Sequence, residues 1–169
     1  GGGEYDLEKA ESAFRRATRI DPKILWGHYQ LARIYFVKGD SAKAIEEINL
    51  ELKYNPENLR SLYVRGLIYG FGKNFTEAEE DFRRFTLWAP KEWAGYNDLA
   101  WILASEKKYQ EVKAVIESAM KEAPSADENP WLWNSLGVAE LNLQEFKNAE
   151  KSFTKARILA EKLTLGDWR

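Results

Sequence analysis

The feature that most narrows what this chain can fold into is a period. Ala10, Ala44, Ala78, Val112 and Ala149 recur at spacings of 34, 34, 34 and 37 residues. Each is followed four residues later by a large apolar side chain: Phe14, Ile48, Phe82, Ile116 and Phe153. Pro22, Pro56, Pro90 and Pro124 keep the same interval of 34. A small and a bulky residue four apart share one face of a helix, and a proline at each period ends one helix and admits the next. Self-similarity of this kind marks a repeat architecture, in which no unit hides its apolar face alone and stacking buries a continuous core.

A second signature precedes each Ala/Phe pair: Leu31-Ala32 with Tyr35, Arg65-Gly66 with Tyr69, Leu99-Ala100 with Leu103, and Leu136-Gly137 with Glu140. Close packing of two helices needs a small residue at the crossing. Ala32, Gly66, Ala100 and Gly137 are therefore expected to face Ala44, Ala78, Val112 and Ala149.

These residues resemble the tetratricopeptide repeat (TPR) family, whose unit reads W-x2-L-G-x2-Y, then A-x3-F, then P. The run from Trp133 to Gly137, followed by Ala149 and Phe153, is the fullest match. The resemblance implies an all-α solenoid of stacked antiparallel hairpins in a right-handed superhelix. Four full repeats are expected at 25–58, 59–92, 93–126 and 130–163, with a lone second helix at 4–24 before them. Residues 127–129 read as an inserted loop, 164–169 as a tail, and Gly1-Gly2-Gly3 as a tag or linker remnant of a longer protein.

Local chemistry suggests the boundaries. Asp21-Pro22, Asn55-Pro56 and Asn129-Pro130 each place a capping residue before a proline at a first helical position. Gly39, and then Gly70 and Gly72, are expected to end first helices in a left-handed conformation. Glu51 and Arg65 break the pattern where Ala or Leu is the norm, and a charge there is costly to desolvate alone. A partly buried ion pair between them is the expectation. Phe85 occupies another normally small position, with Gly95 leaving it space, and His28 stands at a packing position.

Composition closes several functional classes. Twenty-five Lys and Arg stand against 27 Asp and Glu, a net charge of -2, without the basic surplus that phosphate binding requires. There is no cysteine and a single histidine, so thiolate chemistry is excluded and no His pair is available for a metal. No apolar run reaches the ~20 residues of a membrane span. Neither a cofactor nor an enzymatic role is expected, and the compartment stays open, with the cytoplasm slightly favoured.

What the resemblance implies instead is protein–protein interaction, with first helices lining a groove for a peptide or a partner helix. Carried over by repeat position, that groove includes Tyr29, Arg33, Arg60, Tyr63, Asn97, Trp101 and Asn134, and Tyr29, Tyr63 and Trp101 are expected to be exposed in it. The clamp that one subclass uses for chaperone tails is departed from at Tyr29, Arg33, Ala94 and Asp98, so an apolar or mixed ligand fits better. The alternative role is structural assembly, by self-association or docking through repeat ends.

Overall fold

The computed structural model describes residues 6–166, with side chains described to residue 163. The Gly1–Gly3 segment read as a remnant and the last three residues of the expected tail lie outside that range. Among the described residues there are nine α-helices, one 3-10 turn and no strand. Two compact units divide the chain, Gly1–Asn74 and Phe75–Arg169.

The first unit carries α1 (Leu7–Ile20), α2 (Gly27–Val37), α3 (Ser41–Tyr54) and α4 (Leu59–Phe71). Its core gathers Leu31, Ala32 and Tyr35 of α2 with Ala44 and Ile48 of α3 and Ile68 of α4, and Phe14 and Leu52 pack against it. Ala32 and Ala44 are both fully buried, as two closely packed helices require. Each large aliphatic side chain buried here contributes about 1.5–3 kcal/mol.

Three aspartates and asparagines cap this unit's helices from just outside. Asp6 accepts from the Lys9 amide at 3.0 Å, Asp40 from Lys43 at 3.1 Å and Asn58 from Ser61 at 3.2 Å. The caps expected at Asp21 and Asn55 are not used that way. Asp21 closes α1 by donating its amide to the Ala17 carbonyl, and Asn55 closes α3 by donating to Glu51. Their prolines then enter turns, and the following helices start only at Gly27 and Leu59. The turn into α2 needs glycine for space, because a Cβ at Gly27 would meet Thr18 Cγ2 at 2.8 Å.

Glu51 corrects a second expectation. Its side chain is fully buried, yet its partner is not Arg65. The carboxylate accepts from the backbone amides of Trp26 and Tyr29 at 3.1 and 3.2 Å and from the side-chain amides of Asn55 and Asn58 at 2.9 and 3.1 Å. Four donors replace its hydration, so no cation is required. Arg65 instead donates to Asn49 at 2.7 Å.

The second unit carries α5 (Phe75–Trp88), α6 (Trp93–Ser105), α7 (Tyr109–Glu122), the 3-10 turn Ala126–Glu128, α8 (Pro130–Asn142) and α9 (Phe146–Gly166). Leu99, Ile102 and Leu103 of α6 and Val112 and Ile116 of α7 are buried almost completely. Gly95 makes room for Phe85 as expected, since a Cβ there would overlap that ring. Gly137 does the same for Phe153, whose ring atoms would lie 2.8 Å away from an added Cβ. Asn129 caps α8, accepting from Trp131 and Leu132 with Pro130 at the first turn. Here the expected asparagine-proline start is the observed one.

A left-handed residue closes each first helix, at Gly39 (φ 81°), Lys73 (φ 62°), Lys107 (φ 61°) and Gln144 (φ 63°). Of the two glycines expected in that role, Gly70 lies within α4 and Gly72 is right-handed at φ -76°, because the strained position falls one residue later.

Candidate ligand-binding faces of the first helices

Tyr29, Arg33 and Phe36 of α2 are spaced 4 and 3 apart and so share one stripe, which Trp26, the left-handed residue just before the helix, extends by its contact with Tyr29. The Trp26 and Tyr29 rings meet edge to face with centroids 5.2 Å apart. The Arg33 guanidinium lies over the Tyr29 ring at 5.8 Å, and Arg60, at the start of α4, lies over Trp26 at 5.8 Å. At the other end of the stripe Phe36 meets Phe71 of α4 with ring centroids 6.3 Å apart. Phe71 is 66% exposed.

The structure corrects the expectation for Tyr29. Its ring is buried, packed edge to face with Trp26 and covered on its face by Arg33, so it supports the surface more than it offers it. Tyr63 is half-buried on α4, while Arg33 and Arg60 are both exposed.

In the second unit, Trp101 is 37% exposed on α6. Asn97 is half-buried and donates to the Asp98 carboxylate at 3.2 Å. Trp93 and Trp131 stack almost parallel, centroids 5.9 Å apart and planes at 6°, with Trp131 56% exposed. Trp93 was not singled out from sequence, although its aromatic identity one residue ahead of Ala94 was the available signal. Asn134 is exposed and turns toward α9, lining with Trp131, Phe153, Ala156 and Leu163 a cavity of about 520 Å³.

His28 sits behind the α2 stripe as a packing residue. It is buried, its Nδ1 is hydrogen-bonded to the Glu47 carboxylate at 2.6 Å, and its ring stacks on Tyr54. Among the described residues no group of three His, Asp or Glu side chains is placed to hold a metal ion, and no helix is long and apolar enough to cross a membrane.

Residues 29–86 match the family model described as tetratricopeptide repeat. Over that stretch the chain carries the tetratricopeptide repeat, and its fold is the all-α solenoid of TPR proteins. Its TPR solenoid superimposes on the crystal structure of MamA with a TM-score of 0.84, at 19% identity, over 94% of this chain and 91% of that one. YrrB, described as a TPR protein with an unusual peptide-binding site, gives 0.78 at 18% identity, over 91% of this chain and 78% of that one. PilF of Pseudomonas aeruginosa gives 0.75 at 19% identity, over 90% and 68%.

Among curated proteins, cellulose synthase operon protein C of Pseudomonas fluorescens is 29% identical over 116 residues, covering 69% of this chain and 9% of that protein. Human cilia- and flagella-associated protein 70 is 27% identical over 132 residues, covering 76% and 11%. This chain thus spans about a tenth of the length of those relatives. TPR proteins are in general non-enzymatic scaffolds for protein–protein interaction.

Proposed function

We propose that this chain captures a peptide or partner helix on the exposed faces of its first helices. The observation that carries this reading is the set of rings that the hairpin core leaves at the surface: Phe36 with Phe71 in the first unit, Trp101 and the Trp93–Trp131 stack in the second. Aromatic rings anchor interfaces because they bury large area for little conformational entropy. The peptide-binding site in the description of YrrB agrees with such a role for the fold. Selection from a displayed library of random dodecapeptides tests it. Sequences enriched on the wild-type chain should be lost on Phe71→Ala or Trp101→Ala variants whose circular dichroism is unchanged. Equal recovery on these variants and on a variant of the second-helix surface, such as Lys151→Ala, would rule the faces out.

A second reading, assembly through repeat ends, is favoured by two apolar cavities. One of about 560 Å³ lies between α1 and α2, lined by Leu7, Ala10, Phe14, Ile34 and Val37. The other is the cavity between α8 and α9. On this reading, sedimentation velocity shows oligomers that Val37→Glu or Leu163→Glu dissociates, whereas a monomer at all concentrations excludes it.

A further inference from the structure

Resting on the peptide-binding reading above, we infer that the first unit takes a peptide of fixed polarity. A carboxylate-bearing residue lies over Arg33 and Arg60, and a bulky apolar residue two to four positions away lies over Phe36 and Phe71.

The two arginines are prepared for an anion. Arg60, Trp26, Tyr29 and Arg33 form a continuous series of ring and guanidinium contacts. Stacking holds each guanidinium in place before a ligand arrives, which lowers the ordering cost of binding while leaving the planar edge free to hydrogen-bond. Neither takes part in an ion pair among the described residues. Arg33 makes only a 3.3 Å bond to Gln30, whereas Arg15, Arg83 and Arg157 are each bridged to glutamate. The carboxylate beneath this surface, that of Glu51, is occupied by two backbone amides and two asparagines. No Asp or Glu occurs among the face positions Trp26, Tyr29, Arg33, Phe36, Arg60, Tyr63, Leu67 and Phe71. An exposed pair of uncompensated guanidiniums favours an acidic partner by charge-assisted, bidentate bonding.

Polarity and length follow from the helix. From Trp26, just before α2, to Phe36 the stripe spans roughly 15 Å, most of it along the helix at 1.5 Å per residue. An extended peptide covers that distance in four or five residues. Cations occupy the first two-thirds and the phenylalanines the end, so a ligand carries its acid and its apolar anchor in one order. The corresponding positions of the second unit, Ala94, Asn97, Trp101, Ala104, Trp131, Asn134, Val138 and Leu141, include no cation. Charge selection therefore belongs to the first unit.

The test uses the whole chain and the same dodecapeptide library. Enriched sequences are expected to place Asp or Glu two to four residues from Phe, Leu or Trp. A synthetic peptide of that pattern should bind about tenfold more weakly for each arginine changed in Arg33→Gln and Arg60→Gln, and more weakly as salt rises. Reversing the order of acid and anchor in that peptide should also weaken it. The doubly reversed chain, Arg33→Glu with Arg60→Glu, should select lysine-containing peptides instead, a gain that misfolding does not produce. Peptides without acidic bias, bound equally by wild type and the glutamine variants, would overturn this inference while leaving the peptide-binding face intact. A library yielding nothing above background would overturn both.

Discussion

At the scale of single residues, Glu51 shows how far sequence reasoning reaches. Its presence at a position occupied elsewhere by Ala17, Ala119 and Ala156 announces a special environment. The identity of its partners was not legible, because two of the four donors are backbone amides presented by the turn at Trp26, whose left-handed φ of 72° no residue type announces. The same turn explains why Tyr29 is buried: it brings the Trp26 ring against that of Tyr29. Truncating Glu51→Ala strips the acceptor from buried donors, each costing about 1–3 kcal/mol when left unsatisfied. Two of the four bonds, those from the Tyr29 amide and Asn58, are buried, so a total loss of about 2–6 kcal/mol is expected in urea unfolding, with Glu51→Gln losing less because one carbonyl acceptor survives. In a double-mutant cycle Arg65→Ala should show no coupling to Glu51→Ala; a coupling above about 1 kcal/mol would show that the ion pair read from the sequence exists after all.

At the scale of helices, the period was legible because packing enforces it, and the cap positions less so because several local solutions satisfy the same amides. Asp21 and Asn55 end helices where Asn129 begins one, although all three precede proline. The charges between second helices in the second unit follow a rule that the period alone does not reveal. Lys108, just before α7, bonds Glu79 of α5 at 2.7 Å, while Glu145, just before α9, bonds Lys113 of α7 at 2.6 Å. The two pairs sit at equivalent repeat positions with opposite sign, so a helix placed one repeat out of register would meet like charge.

Burial pushes the Glu79 carboxyl up, but hydrogen bonds from Lys108 and Arg83 outweigh it and hold it below the ordinary glutamate range. The Glu145 carboxyl is held down by Lys113 and then by Asn148. A depressed carboxylate stabilises the fold above its unfolded value, about 4.3, and loses that contribution as pH falls through and below it. Lys113→Glu and Glu145→Lys should each lower the melting temperature at neutral pH, and the double exchange should recover most of the loss. The penalty of Lys113→Gln should shrink toward zero below about pH 4. A pH-independent penalty would assign Lys113 a packing role instead.

At the scale of the whole chain, stability in a repeat stack is a sum of local terms, so it is graded along the sequence. The helix α1 has no buried residue, whereas α6 and α7 carry Ile102, Leu103, Val112 and Ile116 at 0% exposure. Opening α1 therefore uncovers little apolar area, while opening α6 releases several fully buried side chains worth about 1.5–3 kcal/mol each. The division between α4 and α5 was not visible in a period that runs through it unchanged. Native-state hydrogen exchange resolves this gradient directly. Amides of α1 should exchange with opening energies near zero, those of α2 and α3 should be intermediate, and those of α6 and α7 should approach the global unfolding energy. Adding Glu51→Ala should lower protection in α2 and α3 and leave α6 and α7 nearly unchanged, because every partner of that carboxylate lies in the first unit. Uniform loss of protection from α1 to α9 would mean that the chain unfolds as one cooperative body, and the graded account would be wrong.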